Sequence, residues 1–255
     1  MKVAVAGGTG AVGARTVEAL RAAGHEPIVL SRSVGVDLLA AATDDREAGR
    51  LARTLEGCAS VVDVTSVMTT SAAKSTRFFE TVTRVLLEAE RTAGVAHHVV
   101  LSIVGAEAAP AAYYAGKVAQ ERAVAASGAG WSVLRATQFH EFAAQLAARS
   151  GGLHVVPAMR SQPVAAAEVG ARLAELATAA PVGLTRDIAG PRVEDMPTLV
   201  RRYLTATGRS GRVLTVPLPG RWGRALRDGT LLPGSGAQLG AITFDEWLAT
   251  VARVR

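Results

Sequence analysis

Short apolar runs alternate with stretches of helical period along the first half of the chain. Six runs have the length and composition of β-strands: Lys2–Ala6, His25–Leu30, Val36–Leu39, SVVDVTS, HHVVLSIVG and WSVLRATQF. Helical patterns lie between them over Ala14–Ala23, REAGRLARTLEG, Ser71–Ala93 and Tyr113–Ser127. Because the strands are apolar nearly throughout, both of their faces must be covered. The pattern predicts an α/β fold, a doubly wound parallel sheet with helices on both faces.

The second half of the chain has a different texture. Proline and glycine become denser after about residue 150, and the clearest patterns are the helical segments Ala165–Ala177 and Met196–Thr207. No internal repeat and no flexible tether separates the two parts. The prediction is therefore a single domain over residues 1–255, with a core of about 1–150 and a smaller C-terminal lobe of about 151–255.

Glycine recurs at every third position directly after the first strand. Gly7, Gly10 and Gly13 form a G-x-x-G-x-x-G pattern between that strand and the first helix. Such a loop lets the backbone approach a pyrophosphate, and the helix beyond it presents free N–H groups and the positive end of its dipole. The sequence therefore predicts a Rossmann-type dinucleotide site. The expected contacts in this loop are Gly7, Thr9, Gly10, Ala11, Val12 and Gly13.

The end of the second strand bears on which dinucleotide binds. NAD sites usually place an acid there for the ribose 2′-hydroxyl, but this chain has Ser31, Arg32 and Ser33. An arginine can pair with a 2′-phosphate, and hydroxyls can add hydrogen bonds. We therefore expect NADP(H) in preference to NAD(H); the alternative is an arginine in a solvated loop. Asp37, followed by Leu38, either contacts the adenine or caps a turn.

Two hydroxyl residues, Thr65 and Ser66, follow the apolar run SVVD. They fall at the carboxyl edge of the predicted sheet, where open α/β sheets bind their ligands. We expect them to line the ribose or nicotinamide side of the cofactor.

Tyrosine and lysine are scarce in this chain, yet both occur in AAYYAGKVAQER, residues 111–122. Tyr113 and Lys117 are four residues apart and share one face of the predicted helix, and Tyr114 neighbours Lys117 at i,i+3. An ammonium near a phenol lowers the pKa of the phenol and makes it a better proton donor. Lysine can also bind ribose hydroxyls. The pair predicts a proton-delivery site; the alternative is a core tyrosine beside a lysine whose stem is buried.

The composition of the chain limits the classes of ligand that it is expected to bind. The net charge of +6 and the pI near 10.2 allow an anionic ligand. The arginines are dispersed and aromatic residues make up only 4% of the chain, which argues against nucleic acid. We read no membrane span, no signal peptide, a single cysteine at Cys58 and no cluster with metal-ligand spacing. The sequence predicts a cytoplasmic protein that binds a small-molecule substrate and no metal, nucleic acid or membrane.

The motifs GGTGAVG, LSIVG, YYAGK and GWSVLRATQF together resemble the short-chain dehydrogenase/reductase superfamily, and most closely its atypical NmrA-like NAD(P)H-binding branch. The likeness covers residues 1 to about 175. It implies that Ser102, at the end of the fifth predicted strand, orients a substrate carbonyl. It also implies that Tyr113 or Tyr114 is the acid and that Lys117 binds ribose. The C-terminal lobe would then bind the substrate.

The segment after the sixth predicted strand faces the substrate side in this resemblance. Gln138 and Phe139 are expected to line the nicotinamide pocket. His140 is either a proton donor or substrate contact, or a structural histidine. The long helix over Ser71–Ala93 is either a homodimer interface or a cover for the sheet.

Together these expectations favour an NADP(H)-dependent oxidoreductase that transfers hydride to a carbonyl, quinone or conjugated small-molecule acceptor. Two alternatives stay open. Some NmrA-like proteins bind the cofactor only to sense its redox state, so one alternative is a non-catalytic regulator. The other is an isomerase or epimerase that uses the bound cofactor transiently.

Overall fold

The computed structural model describes residues 1–148 and 152–253. The strands are β1 Lys2–Ala6, β2 Glu26–Leu30, β3 Ser60–Asp63, β4 His97–Ile103, β5 Gly130–Ala136, β6 Leu153–Pro157, β7 Arg160–Ser161, β8 Gly183–Leu184, β9 Ile188–Ala189, β10 Glu194–Asp195, β11 Arg212–Val216 and β12 Gln238–Leu239. The helices are α1 Ala11–Ala22, α2 Asp45–Leu55, α3 Ala72–Ala93, α4 Tyr113–Ala125, α5 Glu141–Ala147, α6 Ala166–Ala177, α7 Met196–Ala206, α8 Gly220–Asp228 and α9 Phe244–Arg253. Within this described part, no helix is both long and apolar enough to cross a membrane.

The chain forms two compact units whose segments interleave along the sequence. The first comprises Met1–Ser102, Pro110–Arg135 and Val169–Thr185, and the second comprises Ile103–Ala109, Ala136–Glu168 and Arg186–Arg255. The first unit therefore takes in most of α6 from the second half of the chain. Contact between α6 and α1 is close, since a Cβ on Gly170 would lie 2.7 Å from Arg15 Cβ.

A parallel sheet is the centre of the first unit. Its strands follow the order β2-β1-β3-β4-β5, and β8 pairs with β5. β1 is fully buried from Val3 to Ala6, as expected for a strand covered on both faces. The chain leaves β1 toward β2 on one side and returns to β3 on the other, so the order reverses between β1 and β3. This reversal opens a crevice at the carboxyl edge, where such sheets bind ligands. The predicted Rossmann-type fold is confirmed.

The predicted strand over Val36–Leu39 is wrong. Asp37 Oδ1 accepts hydrogen bonds from the backbone N–H groups of Leu39, at 2.9 Å, and Ala40, at 3.3 Å. These bonds begin the short 3₁₀ helix Ala40–Ala42. A carboxylate that binds nearby backbone groups competes directly with strand pairing. The segment is a capped turn, and the buried Leu38 side chain packs in the core with residues of β1, α2 and α3.

The second unit contains short strand pairs that the helical patterns of the sequence did not indicate. β6 pairs in parallel with β11, β7 pairs antiparallel with β10, and β9 lies between β12 and the last residue of β5. Most of these strands have two residues, which is too short for an alternating pattern to be recognised. The rings of His140, Tyr203, Phe244 and Trp247 pack together in this unit.

A buried ion pair in the first unit makes folding stability depend on pH. His98 Nδ1 lies 2.7 Å from Glu90 Oε1, and both side chains are almost completely buried. Burial alone lowers the pKa of His98, but the Glu90 charge and hydrogen bond outweigh it, so the pKa is raised above its ordinary value. A raised folded-state pKa contributes stability that is complete below the unfolded pKa of about 6.5 and is lost as pH rises through the folded value.

We therefore expect Glu90→Gln to lower the melting temperature most at pH 5 to 6, roughly at and below the unfolded pKa, and progressively less above it. Thermal unfolding of both proteins across this range measures the difference. Burial lowers the pKa of His97, so His97 makes the opposite contribution to the pH dependence of stability. This contribution is the same in both proteins and cancels in the comparison. A difference that does not change with pH would contradict the assignment.

Candidate functional site

The glycine loop after β1 is held against the neighbouring strand and the first helix. Gly7 has a φ of 80°, and a Cβ on it would lie 2.9 Å from the backbone oxygen of Val64, just beyond β3. Gly10 N–H donates to Gly7 O at 2.9 Å. A Cβ on Gly13 would overlap the backbone of Gly7. Larger residues at these positions would therefore push the loop away from the sheet edge.

The first turn of α1 is suited to an anion. Gly10 occupies the N-cap position and contributes no side-chain hydrogen bond there. The first N–H groups of a helix have no partner within the helix, so in α1 they are available to a phosphate. Thr9, Gly10 and Ala11 are exposed on this loop, while Val12 is buried in the core. These residues fit a dinucleotide pyrophosphate.

The segment after β2 presents an arginine and two hydroxyls. Ser31 Oγ and Ser33 Oγ lie 2.8 Å apart, and Arg32 between them is exposed at the start of the 3₁₀ helix Arg32–Val34. Asp37, whose Oδ1 caps the following turn, is the nearest acid in sequence. The structure thus favours the capping alternative for Asp37, and Arg32 remains the prominent charge at the end of β2.

A buried carboxylate organises the end of β3. Asp63 is fully buried, and its Oδ1 accepts from Thr65 N–H at 2.8 Å and from Thr65 Oγ1 at 2.6 Å. Ser66 follows on the surface, and its Oγ lies 3.0 Å from Tyr113 Oη. One of the two predicted edge residues, Ser66, is therefore in direct contact with the predicted tyrosine.

The start of α4 is strained at the residue before Tyr113. Ala112 has a φ of 51°, which makes it the one non-glycine residue with positive φ in the described ranges. Such a conformation costs about 1–3 kcal/mol and persists only where the surroundings impose it. Here Ser75 Oγ donates to Tyr113 O at 2.8 Å, and Gly116 lets α4 approach α3 so closely that a Cβ would overlap Ser75 and Phe79. The close packing of the two helices places Tyr113.

The two tyrosines have different surroundings. Tyr114 is buried, with an exposed fraction of 8%, whereas Tyr113 is partly accessible and its hydroxyl reaches Ser66. Phe79 packs edge-on against the Tyr113 ring at 5.4 Å. Burial raises the pKa of Tyr113 to about 12; the Ser66 hydrogen bond opposes this rise, and the Asp63 charge adds to it. The lowered phenol pKa expected from the sequence is not found, because desolvation outweighs the other effects.

Lys117 is buried one turn further along α4. Its Nζ donates to Gln120 Oε1 at 2.6 Å and lies 4.3 Å from the centre of the Phe79 ring. Burial lowers the pKa of Lys117 to about 8, although the charges of Asp63 and Glu121 oppose the change. Gln120 in turn donates from Nε2 to Asp63 Oδ2 at 2.8 Å. Gln120 was not among the predicted site residues, although its i,i+3 spacing from Lys117 was an available signal.

Ser102 lies near the end of β4 with an exposed fraction of 1%. Its Oγ has no hydrogen-bond partner among the residues that the structure describes. Ser102 shares a strand face with Val100, which packs against Val124 of α4. A buried hydroxyl without a partner is costly, and such a group is a reason to expect a ligand.

Three predicted residues belong to the second unit. Gln138 Oε1 accepts from Ser161 Oγ at 2.7 Å, and Phe139 is half-buried and forms a backbone bridge with Val164. His140 is 1% exposed, and its Nε2 lies 3.0 Å from Ile242 O. Burial lowers the pKa of His140. This burial favours the structural alternative for His140, and a substrate contact there stays a prediction.

No group of three or more histidine, cysteine or acidic side chains within residues 1–148 and 152–253 is arranged to hold a metal ion. The candidate site is thus made of the glycine loop, Arg32, the end of β3, and the face of α4 that carries Tyr113 and Lys117.

Comparisons with known proteins place this arrangement in a family. Residues 7–180 match the sequence profile of a family described as NAD(P)H-binding. No significant match was found among curated protein sequences. Several solved structures share the fold at low sequence identity.

Three of these structures illustrate the range of activities. A UDP-glucose 4-epimerase from Thermotoga maritima superposes with a TM-score of 0.73 at 17% identity, covering 99% of this chain and 98% of its own. An Escherichia coli NADPH-dependent quinone oxidoreductase complexed with NADPH has a TM-score of 0.71 at 18% identity, and the match covers 98% of this chain and 99% of that protein. A Thermus thermophilus UDP-glucose 4-epimerase in complex with NAD has a TM-score of 0.67 at 19% identity, and the match covers 99% of this chain and 94% of that protein.

These similarities at low identity establish a shared fold. The family match is stronger evidence, since it spans more than half of the chain and includes the glycine loop, the end of β3 and α4. The predicted resemblance is confirmed: this chain belongs to the NAD(P)H-binding family and has the fold seen in the quinone oxidoreductase and the epimerases.

Proposed function

We propose that this chain is an NADP(H)-dependent reductase that transfers hydride to a carbonyl, quinone or conjugated small-molecule acceptor. The observation that carries the proposal is the contact between Tyr113 Oη and Ser66 Oγ at the carboxyl edge of β3. Gly7 of the dinucleotide loop packs against the backbone of Val64 and Thr65 at the same edge. The Tyr113 hydroxyl thus lies near the glycine loop, which supports its proposed role as proton donor.

The side chains at this edge have the properties that reduction requires. The bound nicotinamide would supply the hydride. Tyr113, which is protonated at neutral pH because its pKa is about 12, donates a proton to the acceptor oxygen, so that the C=O bond becomes C–OH. The tyrosinate recovers a proton from solvent through the exposed hydroxyl of Ser66. Lys117, one turn away, stabilises the transient negative charge, and the unpartnered Ser102 Oγ is a donor for the acceptor oxygen.

The proposal includes a preference for NADP(H). Arg32 is exposed at the end of β2 between two serine hydroxyls, as a site for a 2′-phosphate requires. The structure of the Escherichia coli quinone oxidoreductase, which has the same fold, contains NADPH, and this supports the proposal. The fold alone does not decide the preference, because the Thermus thermophilus epimerase structure contains NAD.

The test is to incubate the protein with NADPH and a panel of quinones, aldehydes and α,β-unsaturated ketones. Oxidation of NADPH is monitored as a decrease in its absorbance. We expect turnover with at least one class and formation of the reduced acceptor in equal amount. Tight NADPH binding without turnover of any acceptor would favour the non-catalytic regulator. Interconversion of UDP-glucose and UDP-galactose without net NADPH loss would favour the epimerase.

A further inference from the structure

A continuous chain of hydrogen bonds connects Lys117 to a carboxylate through a neutral side chain. Lys117 Nζ donates to Gln120 Oε1 at 2.6 Å, and Gln120 Nε2 donates to Asp63 Oδ2 at 2.8 Å. All three residues are buried, with exposed fractions of 3% for Lys117 and 0% for Gln120 and Asp63. Because water does not replace these bonds, each group depends on the others.

The chemistry of the two ends determines the orientation of the amide. A carboxylate accepts hydrogen bonds, so the NH₂ group of Gln120 must face Asp63. An ammonium only donates, so the amide oxygen must face Lys117. Thr65 occupies the other oxygen of Asp63 through its N–H and hydroxyl. Gln120 therefore fits the gap between the two charges in one orientation only.

We propose that Gln120 is a positioning residue, which holds the Lys117 ammonium in place and couples it to the buried Asp63 carboxylate. The inference rests on the proposed function, in which Lys117 serves the cofactor and the phenol. Lysine has three donors, and the bond to Gln120 uses one. With the Phe79 ring against the ammonium, the two other donors remain for ribose hydroxyls and for the Tyr113 oxygen.

The charged and titratable groups around Lys117 come from two elements. β3 contributes Asp63, and α4 contributes Glu121 and Tyr113, while α3 contributes the apolar ring of Phe79. Glu121 is already engaged by Arg135 in a two-pronged ion pair. Asp63 is therefore the carboxylate that remains to balance Lys117, and Gln120 is the bridge between them.

The chain offers a direct test because it has only three lysines, Lys2, Lys74 and Lys117. Protein labelled with ¹³C at lysine Cε would give three titration curves, assigned through Lys2→Arg and Lys74→Arg variants. In the wild type we expect the curve assigned to Lys117 to have its midpoint near pH 8. In Gln120→Leu, which keeps the bulk but removes the bridge, the midpoint for Lys117 should fall further.

Binding of NADPH provides a second measurement on the same variant. We expect about tenfold weaker binding at neutral pH, as for the loss of a hydrogen bond to a charged group, and a pH dependence that shifts with the Lys117 midpoint. Thr83→Val, a buried change in α3 outside this chain of bonds, is the control and should leave both measurements unchanged.

The outcomes separate this inference from the proposed function. A Lys117 midpoint that is unchanged or raised in Gln120→Leu would overturn the positioning role, even if the protein reduces an acceptor. A lowered midpoint supports it, even if no acceptor is ever reduced, because the titration requires no turnover.

Discussion

Replacing Tyr113 with phenylalanine should lower the turnover number for the preferred acceptor by about 10²–10⁴-fold. The substitution removes the hydroxyl that lies 3.0 Å from Ser66 Oγ and keeps the ring that packs on Phe79. Folding and NADPH affinity should therefore change little. Steady-state kinetics with the best acceptor, together with NADPH titration, measure the two effects separately.

Tyr114→Phe is the matched control, since it makes the same chemical change one residue along the helix. Tyr114 is buried, whereas the Tyr113 hydroxyl contacts the exposed Ser66 at the end of β3. We expect a change in turnover of less than about threefold, because the loss of a hydroxyl from a buried side chain acts mainly on stability. Loss of activity in Tyr114→Phe with activity retained in Tyr113→Phe would assign the acid to Tyr114 and refute our choice.

The pH profile distinguishes Tyr113 from Lys117. Tyr113 stays protonated until the pH approaches its pKa of about 12, so it does not limit activity in the neutral range. Lys117, with a pKa lowered to about 8, loses its charge as the pH rises through that value. The alkaline decrease in rate should therefore report Lys117. The midpoint of this alkaline decrease should move to lower pH in Gln120→Leu and should be unchanged in Tyr114→Phe.

Replacing Arg32 with alanine should weaken NADPH binding by about 10–100-fold, the effect expected for losing hydrogen bonds between charged groups. NADH lacks the 2′-phosphate, so its affinity should change by less than about twofold. Titration of both nucleotides against wild type and variant, at a single fixed salt concentration, measures the selectivity directly.

Arg53→Ala tests whether the loss of any exposed positive charge would weaken NADPH binding to the same extent. Arg53 is an exposed arginine on α2 and does not belong to the segment after β2. We expect it to leave both affinities nearly unchanged. Equal losses of NADPH and NADH affinity in Arg32→Ala would contradict the 2′-phosphate assignment.

The features that could be predicted from the sequence are local or periodic. A glycine loop between an apolar strand and a helix indicates the dinucleotide fold, because only a few conformations join these elements. The i,i+4 spacing of Tyr113 and Lys117 places them on one helix face whatever the rest of the chain does. The alternation of apolar runs and helical periods likewise predicts a parallel sheet. The first two conclusions need only a short segment of the chain, and the third needs only the repetition of such local patterns.

Other properties depend on residues that are distant in sequence. The strand wrongly predicted over Val36–Leu39 is an exception, because the Asp37 carboxylate that caps a turn there lies within the segment itself. The proximity of Lys117 predicted a lowered pKa for Tyr113, but packing against α3 desolvates the phenol and raises it. The contact of Gln120 with Asp63 joins residues that are 57 positions apart. His140 lies next to the expected pocket in sequence, yet the rings of α9 enclose it.

Desolvation explains the difference between these two groups. The spacing of residues decides which side chains share a face, and that follows from backbone geometry alone. Whether a charge is exposed, buried or paired depends on which other elements pack against it, and those elements come from distant parts of the chain. The sequence therefore predicts the position of the candidate site, and the packing of α3, α4 and β3 decides the protonation states of its residues.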